Sequence, residues 1–328
     1  MKLTLQFLTV FIFASVSAQT PEKGEVVLLF AGDLVLSDHF EQVIGDDYQD
    51  VLKNWSEVGP FDIFMVNLEH PITTATQKVE KKFNFKMSPK YLPLLKGFGI
   101  TLVNAANNHI ADYGLEGLEE TIRHLESIDI PYVGIGGNLQ AARKPVVLEK
   151  AGWKIGFLGY FGGGDFAARA DRAGFAPRRE SIILQDVRRL RTEVDYLVVN
   201  FHWGVERSPE PEPEQVHLAR KVIDAGADLI VGHHPHILQG IEEYEGKHIA
   251  YSLGNFVFGG NSRHTYDTAL LKVTLSNNGP AIDLVPISVE RWRPRPATGA
   301  SKENTLSLVK SRSEKFKQEI PTSKGAQE

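Results

Sequence analysis

Six separate apolar runs in this chain lead to a residue able to hold a cation or carry a proton, and that repetition restricts the fold more than any other feature. Residues 26–31 run into Gly32-Asp33, residues 61–66 into Asn67-Leu68-Glu69, and residues 100–103 lead to Asn107-Asn108-His109. Residues 196–201 end at His202-Trp203-Gly204-Val205-Glu206, residues 227–231 at Gly232-His233-His234-Pro235-His236, and Tyr251-Ser252-Leu253 leads to Gly254-Asn255-Phe256. An uninterrupted apolar run closed by turn residues is the pattern of a strand covered on both faces, as in the central strands of an α/β protein. In such folds the strand ends on one edge of the sheet share a crevice, so residues distant in sequence converge there.

Between the runs, helices are expected over 38–53, 89–98, 114–128, 181–194 and 208–225. Leu115, Leu118, Ile122 and Leu125 recur at helical spacing and read as core packing. Residues 145–148 and 153–158 form a strand pair, and 268–275 and 282–289 alternate like sheet strands. Gly162-Gly163-Gly164 reads as a loop near the site; without Gly-Lys-Ser/Thr and a following helix it is not a nucleotide-binding loop.

Of 328 residues, 42% are hydrophobic, enough for a sizeable core over a domain spanning 25–290. Lys2, an apolar stretch over 3–16 and the small residues Val16-Ser17-Ala18 have the form of an export leader over 1–18. The apolar stretch is shorter than the roughly 20 residues of a membrane span. Cleavage near Ala18 and export to the periplasm or cell surface are therefore expected. The chain has no cysteine, which excludes disulfides, thiolate metal sites and lipidation at cysteine, and leaves a metal to His, Asp, Glu or Asn.

Charge is uneven. Without Lys2, 35 basic side chains face 41 acidic ones; residues 291–328 hold nine basic and four acidic, so the body is near −11 and the tail near +5. No nucleic-acid partner is expected of so acidic a body. The tail, 291–328, is expected to be partly disordered, with a short helix around 306–316.

The oxygen and nitrogen donors Asp33, Glu69, Asn108, His202, His234 and His236 suit one or two divalent ions, Mn, Zn or Fe. Such an ion supports hydrolysis of a phosphoester or related bond. His109 is placed for general acid work, with Asp112 to orient it. His233 is expected to support the ligand pair, Asn255 to meet either backbone or substrate, and Trp203 to pack.

These stretches, with Asp112-Tyr113-Gly114 beside His109, resemble in kind and order the CapA family of poly-γ-glutamate capsule biosynthesis proteins. The resemblance implies an α/β fold, a layered α-β-β-α sandwich of the calcineurin-like metallophosphoesterase type. It implies metal ligation by Asp33, Asn108, His202, His234 and His236, a leaving-group acid at His109, and Glu69 at the superfamily's metal-bridging aspartate. Glu206, His233 and Asn255 fall on the substrate side. Two departures stand out: Val35 lies where the superfamily has the histidine of Asp-x-His, and the bridging position is a glutamate. The implied role is synthesis or export of an anionic capsular polymer through a metal-dependent hydrolase-like site, in company with membrane-bound polymer synthesis machinery. The alternatives are a stand-alone metal-dependent phosphoesterase and a non-catalytic polymer-binding assembly factor.

Overall fold

The computed structural model describes residues 23–37 and 39–317. The expected leader lies outside the described residues, as does the end of the expected tail.

Two sheets face each other. In the first, the strand Val26–Val35 lies at the centre, parallel to Ile63–Leu68, which is followed outward by Leu102–Asn104 and Tyr132–Val133. Its other edge pairs antiparallel with Thr265–Ser276 over its first half and parallel with Asn255–Phe258 at its end. The second sheet has the parallel strands Trp153–Phe161, Tyr196–His202, Leu229–His233 and Lys247–Ala250 at its centre, edged by the antiparallel strands Val146–Lys150 and Ile241–Tyr244.

Side chains alternate across each strand, so every buried run serves two cores. Leu28, Phe30, Ile63 and Met65 of the first sheet meet Phe157, Val198, Leu229 and Val231 of the second. Their neighbours Leu29, Phe64 and Val66 point the other way, onto Trp55, Leu94, Leu95 and Phe98. On the far side Leu197, Val199 and Ile230 pack on Ile183 and Val187 of the helix Glu180–Arg191 and on Ala219 and Val222 of Pro213–Asp224. The layers are helix, sheet, sheet, helix.

Several expected helices change shape. The helix expected over 38–53 is a short α-helix, His39–Ile44, and a 3-10 turn, Tyr48–Leu52, because Gly45 between them takes a left-handed φ of 54°. The helix Pro213–Asp224 starts later than expected: Pro213 is set in its first turn and the Gln215 side chain accepts from the Glu212 amide at 2.8 Å. The helix Gly114–Ser127 buries Leu118 and Leu125, as its spacing implies.

Residues 291–317 hold more structure than expected, and the helix expected around 306–316 starts earlier. Arg293–Pro296 adds a strand beside Gly279–Glu290, and the helix Gly299–Ser313 buries Thr305 and Val309. The hairpin between those strands places both Arg291 and Trp292 at positive φ, 48° and 61°, where such turns usually carry Asn-Gly. Burial holds the strained turn: Trp292 is 1% exposed, donates Nε1 to the Phe258 carbonyl at 2.9 Å and meets the Phe40 ring edge-on. Trp292→Ala is therefore expected to lower unfolding stability by about 3–5 kcal/mol in chemical denaturation; a loss below about 1 kcal/mol would show that this segment is only loosely attached.

Candidate metal centre

The carboxyl ends of the parallel strands meet at one level. Asn255, Asp33, Asn67 and Asn104 stand in register across the first sheet, and His202 and His233 across the second. Close backbone approach makes this possible: a Cβ on Gly32 would lie 1.8 Å from the Gly254 carbonyl oxygen, and one on Gly232 would lie 1.9 Å from that of Tyr251. His234 and His236 both adopt positive φ, 97° and 57°; the His236 ring comes 3.0 Å from Asp33, and the His234 amide donates to Asp33 at 3.3 Å while its ring joins Glu69 and His202. Strain of this kind, in residues that are not glycine, costs roughly 1–3 kcal/mol each and persists where surroundings impose it.

All six proposed ligands converge. Glu69, His202 and His234 bring ligand atoms within 4.8 Å of one another, and so do Asp33, Glu69 and His236. Asn108 joins them through Oδ1, 2.6 Å from His202 Nε2. Exposed Glu206 forms a third such group with His234 and His236, on the open side of the site. Asn255 Oδ1 lies 2.9 Å from His236 Nδ1. His233 is buried behind the cluster, its Nδ1 3.8 Å from Asp33.

The electrostatics are those of a site short of positive charge. Burial pushes the Glu69 carboxyl well above its ordinary range, and the Asp33 charge adds to this. Burial also acts to raise Asp33, but the hydrogen bond and charge of His236, 3.0 Å away, win and hold it below the usual value. His236 itself is opposed by burial, yet the Glu69 and Asp33 carboxylates raise it to about 10. Burial and neighbouring imidazoles push His202 well below its usual value and His234 below it. The shifts thus favour a charged Asp33–His236 pair and a Glu69 that resists ionisation unless further positive charge is brought to it.

Both oxygens of Glu69 and Nδ1 of His234 are buried without a hydrogen-bond partner. An unpartnered buried carboxylate costs folding energy unless something cationic satisfies it. With an all oxygen-and-nitrogen donor set around it, these residues fit a hard or borderline divalent ion.

His109 stands beside this cluster. Its Nδ1 is 2.8 Å from Asp112 Oδ2, which also accepts the Phe85 amide at 2.6 Å. Burial keeps His109 below its ordinary pKa even though Asp112 pulls the other way. Phe85 lies against the imidazole with ring centroids 4.4 Å apart. A cleft of about 570 Å³ opens here, lined by Phe83, Phe85, His109, Glu206, His236 and Phe258, among others. Val35, where the resemblance implied a missing histidine, is buried against Phe85 and Phe258. Trp203 packs as expected, stacked on Phe201 and donating to the Tyr251 carbonyl at 3.0 Å.

Sequence reading gave no role to Asn67, Asn104 or Lys81. Asn67 Nδ2 donates to Asp33 at 2.8 Å and lies 3.2 Å from His202 Nδ1, while Asn104 donates to Asn67 at 2.8 Å. Lys81 donates to the Asn108 carbonyl at 2.9 Å and pairs with Asp112. The one signal for the asparagines was a polar amide inside otherwise apolar strands.

A model of the bacterial capsule synthesis protein PGA_cap family matches residues 27–260, and the chain belongs to this family. It is 33% identical over 304 residues to the capsule biosynthesis protein CapA of Bacillus anthracis, covering 87% of this chain and 72% of that one. It is 34% identical over 286 residues to the PGA biosynthesis protein CapA of Bacillus subtilis strain 168, covering 84% and 75%. Among solved structures, a 5′-nucleotidase from Candida albicans SC5314 overlays with a TM-score of 0.48 at 13% identity, over 91% of this chain and 60% of that one.

His233 provides a pH prediction for the metal-free protein. Burial lowers it to about 4, with Asp33 opposing. The unfolded chain takes up this proton near pH 6.5 and the folded chain only near 4, so stability is lost as pH falls between those values. The His233 share is about 3 kcal/mol. His233→Asn should flatten the pH dependence of unfolding free energy in that window; an unchanged slope would contradict the assignment.

Proposed function

We propose that this protein is an exported member of the family that acts on an anionic capsular polymer of the poly-γ-glutamate type through a divalent-metal site of hydrolase character. The observation that carries this reading is Glu69: a fully buried carboxyl group whose oxygens accept no hydrogen bond, with His202 3.4 Å and His236 3.8 Å away and His234 and Asp33 beside them. Manganese, zinc or iron would be held by Asp33, Glu69, Asn108, His202, His234 and His236, with Glu206 at the open side. Such an ion supplies Lewis acidity that polarises a phosphoryl or carbonyl oxygen.

The chain's own groups supply the rest. Asp112 holds Nδ1 of His109, which leaves Nε2 to move a proton to or from the scissile bond. An anionic group brought beside His109 raises its pKa again and so favours the protonated, donating form. The Phe85 ring lies against the imidazole, and Lys81 pairs with Asp112 while its Nζ comes 3.1 Å from His109 Nδ1. Export follows from the leader over residues 1–18 and is tested by the mass of the secreted protein, which should begin after Ala18.

Val35 favours a second reading. An apolar side chain, packed on Phe85 and Phe258, offers no ligand at that position, which suits a factor that binds polymer without cleaving it. Metal analysis combined with turnover separates the two. Mature protein should retain at least one Mn, Zn or Fe, and the metal-loaded protein should cleave a phosphoester or a γ-glutamyl oligomer. His109→Ala should then lower kcat by roughly 10²–10⁴-fold with metal content unchanged. Polymer binding with no turnover by the wild type would establish the assembly role, and absence of metal after loading would overturn the metal-dependent hydrolase.

A further inference from the structure

We infer that the catalytic cleft continues into a second, distal subsite built by the C-terminal helix, so that the protein takes an extended polyanionic chain and not only a terminal group. This rests on the polymer reading above. Beside the 570 Å³ cleft lies another of about 170 Å³, and the two share His236, Ile237, Asn255, Asn261 and Arg263 in their walls. One groove therefore runs from the metal ligands past Arg263 to Leu308 and Arg312 of the helix Gly299–Ser313.

The helix is docked so that this stripe is presented. Val309 is buried with Leu238 and Ala269, which fixes the helix on the domain. Leu308 and Arg312, one turn apart on the same face, line the groove, with Leu308 42% exposed. Arg312 donates one guanidinium nitrogen to the Leu238 carbonyl, which steadies the side chain and leaves its charge uncompensated by any carboxylate among the described residues.

Charge along the groove fits a polyanion even though the body of the protein is acidic. Arg207 and Arg263 border the proximal cleft, and neither side chain pairs with a carboxylate among the described residues. Two carboxylates also face the groove. Glu206 lies with His234 and His236, where a cation would claim it, and Asp267 accepts the Ser288 hydroxyl at 2.7 Å. Three guanidinium groups without a carboxylate partner among the described residues, with Arg263 over the Tyr266 ring and Arg312 on the Leu238 carbonyl, line one groove with apolar Leu308, which suits a chain that repeats carboxylates on a methylene backbone.

The test is calorimetric titration of the mature full chain, with and without manganese, using γ-linked oligoglutamates of two, four and eight residues. Affinity should rise at least tenfold from the dimer to the octamer. Leu308→Glu and Arg263→Gln should each abolish that gain, whereas Val147→Glu, an exposed change on the edge strand Val146–Lys150, should keep it. Thermal unfolding of each variant should match the wild type, which separates a lost subsite from a misfolded helix. Equal affinity for dimer and octamer, or a gain that survives Leu308→Glu and Arg263→Gln, would overturn the distal subsite and leave the polymer reading standing. Failure of every oligomer to bind would overturn both.

Discussion

Two carboxylates buried at the seam between two sheets set the terms for everything around them. Asp33 and Glu69 come from the first sheet, and both are fully inaccessible. Neither can stay ionised there without positive charge close by. The second sheet brings it: His202 and the His233 to His236 segment arrive from the opposite side of the seam. The same contacts that close the carboxyl end of the sandwich therefore assemble the site. Among the chain's own groups, His236 is the imidazole those carboxylates raise, and it also bonds Asn255. A divalent ion would bring a larger charge and give the Glu69 oxygens the partner they lack.

The backbone is shaped to the same end. Glycine at positions 32 and 232 lets neighbouring strands approach until their carbonyls nearly touch the Cα carbons, which a side chain would prevent. The left-handed conformations of His234 and His236 turn a strand end into a clasp, and buried Asn67 and Asn104 brace Asp33 and His202 from behind. A second strained turn, at Arg291 and Trp292, holds the Phe258 carbonyl and so stiffens the wall of the cleft opposite His109. Part of the left-handed backbone of this chain, at His234 and His236, falls within the site, where packing sustains it.

Much of this was legible in the sequence because one physical rule governs it: a doubly covered strand must be apolar until it leaves the core. That rule located the ends at Asp33, Glu69, His202 and His234 without any three-dimensional information. Register was not legible, and the roles of Asn67 and Asn104 depend on it, since only pairing shows that they share a row with Asp33. Lys81 was hidden for a related reason: it lies in a lysine-rich surface stretch whose approach to Asp112 depends on a long loop. Over residues 291–317 composition led to the helix expected around 306–316, observed as Gly299–Ser313, but not to the strand Arg293–Pro296. The few apolar residues of that segment include Trp292 and Val309, and those two are enough to dock a strand and a helix. Gly45 broke the expected first helix through a single left-handed residue.

The central claim is that the Glu69 carboxylate exists to hold a cation. The most direct measurement is anomalous X-ray scattering from crystals of the mature protein soaked in manganese, recorded on both sides of the manganese edge. The account predicts an anomalous peak in contact with Glu69 and with His234 or His202. A fully occupied lattice with no peak there, or a peak only at surface carboxylates, would contradict it.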